Sequence, residues 1–421
     1  MNSPGYARAT MDANQGTPAP GGPEPPRASP SLIEMTEGEY AAELARSAEA
    51  ERERAALARR IAADGLGGRV YAGLMRWLVL AVVGSILAAA LHHADAAVLL
   101  AAAAMFALTQ SWDVRDRARD GELADESALE PGAVGRSLRM SLPVLVPALA
   151  ALAYALLGGY ARSLPPSAEH VGAMRWCWAA AAACMAMAIP ALARPITTAL
   201  LPHASWSHTA RLSATIALAL LLFPVPVRLV IDDMIDFITS TGRPIVDVGS
   251  LVSQLAGEVA LAVAAVGLWV ARDPRAVRER LGLTAMRGRH VVVAVVGLGI
   301  VIALNSGMES LEHTRFPALW AADQEMGRLI VGELSVAASI LLGVSAGVGE
   351  ELLVRGALQP RAGLFWASLL FTAGHVQYTW FGMLTILLLG LALGIVRARA
   401  NTTTAIVVHA LYDIVAAISA K

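Results

Sequence analysis

Long apolar runs recur along this chain and constrain its fold more than any other feature. Several reach the roughly 20 residues that an α-helix needs to cross a bilayer. The chain is 56% hydrophobic and only 16% charged, whereas a soluble domain carries about 25% charged residues. The runs and the breakers between them predict an all-α, polytopic transmembrane helix bundle with about eleven spans. These lie at residues 75–91, 95–112, 141–160, 171–193, 211–231, 251–271, 290–305, 329–349, 362–377, 380–396 and 402–419.

The N-terminal part of the chain differs from the apolar remainder. Residues 1–31 are rich in proline and glycine and contain no apolar run, which is typical of a disordered tail. Residues 33–66 are rich in Ala, Glu and Arg at helical spacing and predict a cytosolic helix. Residues 75–305 are predicted to form an accessory transmembrane bundle, and residues 329–419 a separate transmembrane domain.

Arginine is distributed unevenly between the predicted loops. The loops after the second and sixth spans are basic, whereas those predicted on the other side carry one arginine each. Because positively charged loops stay in the cytosol, the pattern predicts a plasma-membrane protein with a cytosolic N-terminus. No basic tract suggests nucleic-acid binding. The arginines of the two basic loops are Arg115, Arg117, Arg119, Arg136, Arg139, Arg272, Arg275, Arg278, Arg280, Arg287 and Arg289.

Two adjacent carboxylates, Glu350 and Glu351, stand at the end of an apolar run. Ionisable groups at membrane depth are costly and usually functional. Glu351 and Arg355 are four residues apart, in the order that favours an ion pair within one helix. Glu350 has no such partner in its own helix and is free to face a cavity. The alternative is a helix end whose acids extend to the lipid headgroups.

Two further polar pairs lie in the later apolar runs. Phe371 precedes His375 by four residues, and His409 precedes Asp413 by four, so each pair shares a helix face. Asp413 can then orient the His409 ring. A histidine near a span end is often only a hydrogen-bonded core residue. Together, however, a glutamate and a neutral histidine can activate water, while a second histidine stabilises an oxyanion. These are the components of peptide hydrolysis without a covalent intermediate.

The ordered motifs Glu-Glu-x-x-x-Arg, Phe-x-x-x-His and His-x-x-x-Asn/Asp resemble those of the CPBP family (CAAX protease and bacteriocin-processing, or Abi). Its eukaryotic relative is the type II CAAX prenyl endopeptidase. The motifs stand here at residues 350–355, 371–375 and 409–413. The resemblance implies that residues 329–419 are catalytic and form an intramembrane endopeptidase. Its substrate would be a membrane-associated peptide or protein.

By this resemblance, Glu350 and His375 would activate water, and His409 with Asp413 would bind the oxyanion. The supporting residues would be Glu351, Arg355 and Phe371. Position 413 departs from the prenyl-protease branch, which has Asn there. Asn can donate a hydrogen bond to the oxyanion, whereas an ionised Asp cannot. Either Asp413 is protonated or it only orients His409, and specificity for CAAX substrates does not follow from the motifs.

Three alternatives bear on this interpretation, and the second of them is set aside. Two histidines and two acids can hold zinc, although the chain has no His-Glu-x-x-His, and the resemblance favours a mechanism without a metal cofactor. The run Gly343-Val344-Ser345-Ala346-Gly347 matches a serine-hydrolase motif, but that motif needs a strand-to-helix turn. Glycines four apart instead predict close helix packing. The third alternative is a non-enzymatic membrane protein that uses the polar cluster as an ion or proton pathway or as a scaffold.

Overall fold

The computed structural model describes residues 49, 52, 66–117, 133–231, 234–240, 246–332 and 334–419. The predicted tail at residues 1–31 lies outside these residues, as does the predicted cytosolic helix except for Glu49, Arg52 and Leu66. In the described part of the chain, the regular elements are all helical, apart from an isolated bridge between Leu268 and Arg272. The predicted all-α class is confirmed.

Helices make up most of the described part of the chain. They are α1 (Leu66–Ala90), α2 (Ala94–Arg117), α3 (Ala133–Ser163), α4 (Ala168–Ala186), α5 (Pro190–Leu200), α6 (His208–Leu222), α7 (Pro224–Val230), α8 (Met234–Thr239), α9 (Val248–Ala265), α10 (Pro274–Arg280), α11 (Gly288–Arg315), α12 (Pro317–Val331), α13 (Val336–Glu350), a π-helical segment (Glu351–Leu358), α14 (Gln359–Ala373), α15 (Trp380–Arg399) and α16 (Thr402–Ser419).

Among the described residues, nine helical stretches are long and apolar enough to cross a membrane. The number rises to ten if α4 and α5, which are bent by 103° at a short break, form one broken span. The protein is therefore an integral, multi-pass membrane protein. The orientation of its termini and the division into an accessory and a catalytic domain stay predictions.

The nine to ten stretches among the described residues come close to the predicted count of about eleven spans, and the predicted spans 329–349 and 362–377 fall largely in one stretch that is kinked at Gly363. Val336–Ala373 runs for 38 residues through the charged run, and its backbone leaves the helical conformation further along, at Gly363, where φ is 78°. Glu350 lies roughly 21 Å along this stretch from Val336, at 1.5 Å per residue. The helix continues because Glu351 and Arg355 have partners inside the protein. Their charges therefore need neither water nor headgroups.

Pro360 gives a physical reason for the π-helical segment that precedes it. Proline has no N–H, and its ring clashes with the carbonyl four residues earlier, here that of Gly356. The widened turn of Glu351–Leu358 relieves this crowding. The Gly356 carbonyl instead accepts a hydrogen bond from Arg280 Nη1 at 3.3 Å. Such π-helical turns are frequent at functional sites. This one begins at Glu351, directly after Glu350.

Small residues bring the neighbouring helices close to this stretch. A Cβ added at Gly347 would lie 2.7 Å from the backbone nitrogen of Ala410, and one at Gly343 would lie 2.7 Å from Ile414 Cγ1. The predicted close packing of these glycines, here against α16, is confirmed. Ser345 between them is buried and donates its hydroxyl to the Leu342 carbonyl at 3.0 Å, as serines in helices commonly do.

Candidate active site

Glu351 and Arg355 form the centre of the site and are completely buried. Arg355 Nε lies 3.3 Å from Glu351 Oε2, without the alignment of a hydrogen bond. The guanidinium also donates from Nη2 to the Gly390 carbonyl at 3.0 Å and lies 5.1 Å from the centroid of the Phe371 ring. The ion pair predicted from the spacing is present, and the hydrogen bond from Arg355 to Gly390 fixes the helical stretch against α15.

His409 joins the glutamates to the last helix. Its Nδ1 lies 3.0 Å from Glu351 Oε1, and its Nε2 lies 3.4 Å from Asp413 Oδ2 and 3.9 Å from Glu350 Oε2. Both ring nitrogens therefore face carboxylate oxygens. A neutral imidazole donates from one nitrogen only, whereas an imidazolium donates from both. The surroundings thus favour a charged ring. The contact with Asp413 follows the predicted spacing, but the contact with Glu351 joins two helices and was not predicted.

His375 lies in the turn of residues 374–379, after α14 ends at Ala373. Its Nδ1 lies 2.8 Å from the Phe371 carbonyl oxygen. Because a carbonyl can only accept, Nδ1 carries the hydrogen and Nε2 is left as an acceptor. Burial lowers the pKa of His375, which also favours the neutral ring. His375 is therefore prepared to accept a proton at Nε2.

Phe371 links the two histidines. Its ring centroid lies 4.7 Å from that of His375 and 6.0 Å from that of His409. The predicted packing of Phe371 beside His375 is confirmed, and the structure adds its contacts with His409 and Arg355. Direct polar contacts connect Glu350, Glu351, His409 and Asp413, and His375 reaches this group through the Phe371 ring.

Glu258, on α9, lies beside the site but belongs to none of the three motifs. Gln254 Nε2 donates to its Oε1 at 3.0 Å, while Oε2 packs directly against Gly349, the residue before Glu350. Among the described residues, this second oxygen has no hydrogen-bond partner. The sequence signal for Glu258 is a charged residue within an apolar run. Its proximity to Glu350 depends on how α9 packs against α13.

Tyr378 is a second neighbour that the motifs do not include. Burial and the carboxylates of Asp413, Asp323 and Glu350 together raise its pKa to about 12. The phenol therefore keeps its hydrogen at physiological pH and adds a neutral donor to the turn that carries His375.

The placement of the donor side chains also bears on whether the site can bind a metal ion. Within the described residues, no group of three or more His, Cys, Asp or Glu side chains is placed to hold one. Both nitrogens of His409 already face carboxylates of this cluster. The arrangement does not fit a three-ligand zinc site.

Comparison with known proteins supports the motifs. Residues 332–415 match the family model "Type II CAAX prenyl endopeptidase Rce1-like". The chain is also 31% identical over 120 residues to the uncharacterized protein YpbD of Bacillus subtilis (strain 168). The aligned stretch covers 28% of this chain and 60% of that protein. The chain thus matches less than two thirds of this relative's length. No solved structure matches.

The matched stretch contains all seven residues named from the motifs, and it begins after α12, so Glu258 and Asp323 lie outside it. The family resemblance inferred from Glu350-Glu351 and the two histidine motifs is therefore confirmed. Residues 332–415 are thus similar to the Rce1-like type II CAAX prenyl endopeptidases.

Proposed function

We propose that this protein is an intramembrane endopeptidase that hydrolyses a peptide bond with a water activated by Glu350 and His375. The supporting observation is the convergence of ionisable groups from separate helices. His409 lies 3.0 Å from Glu351, 3.4 Å from Asp413 and 3.9 Å from Glu350. Bringing these groups together at membrane depth is costly unless they are used. The family match supports the same class of reaction.

In the proposed reaction, Glu350 removes a proton from water while His375 Nε2 accepts a hydrogen bond from the same molecule. The water oxygen bonds to the carbonyl carbon, and the carbonyl electron pair moves to its oxygen. His409 donates from Nε2 to this oxyanion, which is the kind of interaction that stabilises such intermediates. Glu350 then returns the proton to the amide nitrogen as the C–N bond breaks.

Glu351, Arg355 and Asp413 have supporting parts in this scheme. Glu351 fixes the His409 ring through Nδ1, and Arg355 neutralises Glu351 in the interior. Asp413 stabilises the charged His409 ring without having to donate a hydrogen bond. This assignment removes the difficulty raised by Asp at position 413. No metal takes part in the proposed scheme, and the substrate is a membrane-associated peptide or protein.

The test uses purified full-length protein with a fluorogenic farnesylated CAAX peptide and an unprenylated control of the same sequence. We expect Glu350→Ala and His375→Ala to fold normally and to lose cleavage by about 10²- to 10⁴-fold each, the usual contribution of a general base. Retained cleavage by both variants would refute the mechanism. Cleavage of the unprenylated peptide alone would show that the substrate needs no prenyl group.

The competing function is an ion or proton pathway through the same carboxylates. It is tested on the same preparation, reconstituted in proteoliposomes with a pH-sensitive dye inside. We expect no proton flux above that of empty vesicles. Flux that disappears in Glu350→Ala, without any peptide cleavage by the native protein, would favour the pathway.

A further inference from the structure

The turn that carries His375 is fixed at its far end by a carboxylate from outside the family-matched stretch. The backbone N–H of Thr379 donates to Asp323 Oδ1 at 2.7 Å, and the Thr379 hydroxyl donates to Asp323 Oδ2 at 2.6 Å. The same hydroxyl accepts a hydrogen bond from the Gly382 N–H at 3.2 Å, so it caps α15. Asp323 thus holds the residue at which the turn ends and α15 begins.

The surroundings of this contact are closely fitted. A Cβ at Gly382 would collide with the Asp323 carboxylate, so only glycine leaves room for it. Glu312 on α11 is buried, and its Oε1 lies 3.5 Å from the Thr379 hydroxyl. Thr379 is itself buried. Two helices that precede the family-matched stretch therefore contribute acids to one threonine.

His375 lies between this contact and the end of α14. Its side chain bonds the Phe371 carbonyl at 2.8 Å, and its own carbonyl accepts from the Tyr378 N–H at 3.3 Å. The turn is therefore anchored on the Phe371 side by helix α14 and on the Thr379 side by Asp323. Releasing either end leaves the imidazole free to shift.

We propose that Asp323 is a positioning residue for His375, acting through Thr379. The catalytic consequence rests on the proposed function. A general base must lie within hydrogen-bond reach of the proton that it accepts, and a displacement of about 1 Å at a reacting group can cost 10²-fold in rate. Helix α12, which precedes the family-matched stretch, would then hold the base of a site whose motifs all lie within that stretch.

The experiment measures the position of His375 directly and does not depend on cleavage. Full-length protein in detergent micelles is treated with diethyl pyrocarbonate, and the modification rate of each histidine is read by mass spectrometry. The variants are Asp323→Ala and Thr379→Val, which remove the contact, and Thr379→Ser, which keeps the hydroxyl. Glu325→Gln is the matched control, since Glu325 lies on the same helix in an exposed pair with Arg328.

We expect Asp323→Ala and Thr379→Val each to raise the modification rate of His375 by about fivefold or more, as local opening of the turn exposes the ring. The double variant should show no further increase, because both changes remove the same contact. Thr379→Ser and Glu325→Gln should behave as the native protein. His290 and His313 should react at unchanged rates in all variants.

The same proteins are then assayed for peptide cleavage. We expect Asp323→Ala and Thr379→Val to lower kcat by about 10- to 100-fold with KM nearly unchanged, and Thr379→Ser to retain activity. An unchanged reactivity of His375 in both Asp323→Ala and Thr379→Val would overturn the proposal, whatever the cleavage assay gives. A general rise at His290 and His313 would also overturn it, because it would show loosening of the whole fold. Failure of the proposed function would appear separately, as absence of cleavage by the native protein.

Discussion

The helical stretch Val336–Ala373 and the helix α1 are both apolar enough to cross a membrane, but their residues face different surroundings. In the 18-residue apolar window of Val336–Ala373, 44% of the residues are buried inside the protein. In the corresponding window of Gly67–Ala90, only 17% are buried. The first stretch is surrounded by other helices, whereas most of α1 faces outward. Hydropathy alone does not distinguish these two situations.

The difference explains where ionisable groups can be kept. Glu351 and Arg355 are completely buried and have partners on other helices. The exposed face of α1 is instead lined by apolar side chains such as Tyr71, Val79 and Val82, as a lipid-facing helix requires. A helix can hold charge at membrane depth when its neighbours supply the opposite charge and the hydrogen bonds. The following predictions test this contrast, beginning with the largest expected effect.

Removal of Arg355 should be the most damaging change to stability. Arg355→Ala would leave Glu351 buried without its positive partner, and such a loss costs about 3–5 kcal/mol in the free energy of unfolding. The control is Arg275→Ala, because Arg275 is 89% exposed in its pair with Glu279 and should give no measurable change. Unfolding in detergent, followed by tryptophan fluorescence, measures both. Similar values for the two variants would contradict the contrast drawn above.

Filling a helix contact beside the site should have the next largest effect. In Gly347→Ala, the new Cβ would lie 2.7 Å from the Ala410 backbone nitrogen, and separating α13 from α16 should cost about 1–3 kcal/mol. Gly299→Ala is the control on α11, where nothing lies within 4 Å. That change should stabilise the helix by about 0.5–1 kcal/mol. Destabilisation by both would indicate that α11 is packed more tightly than its surroundings suggest.

The protonation of His375 should reflect its lowered pKa. Burial disfavours the charged ring, so His375 stays neutral at pH values below the usual histidine pKa of about 6.5. Because diethyl pyrocarbonate reacts with the neutral ring, modification of His375 should persist as the pH falls through about 6.5 and decline only below it. The pH dependence of the modification rate, read by mass spectrometry, measures this. His313→Asn, on helix α11, should leave that dependence unchanged. A decline at His375 beginning above about pH 6.5 would contradict the assignment.

Metal removal should have the smallest effect. If the site acts through its own carboxylates and imidazoles, dialysis against a strong chelator should leave the rate of cleavage unchanged. The measurement compares dialysed protein with an untreated sample and with one given zinc afterwards. A loss of activity that zinc restores would establish a metal-dependent reaction and overturn the proposed scheme.

Contacts within one helix could be predicted, because the helical repeat fixes them. The pairs Glu351–Arg355 and His409–Asp413 are each four residues apart, and both are present. The order of the motifs likewise predicted the family resemblance of residues 332–415. The Phe371–His375 pair also forms, although His375 itself lies just beyond the end of its helix.

Contacts between helices could not be predicted in the same way. Glu351 bonds His409, which is 58 residues away, and Asp323 bonds Thr379, which is 56 residues away. No spacing rule relates such positions, since they depend on how helices pack. The same limit applies to the charged run. A helix end with Glu350 and Glu351 at the lipid headgroups stayed open as an alternative, because the partners on other helices are not evident from the sequence.

The sequence by itself determined the membrane-spanning helical class, the family resemblance and the local pairs of the site, because apolar length and helical periodicity act over short distances along the chain. Only the tertiary structure decided that the charged run lies inside a continuous helix, and that Glu258 and Asp323 stand beside the site. The physical reason is that a buried charge is tolerated only where other helices supply its partners, and this depends on packing across the whole bundle.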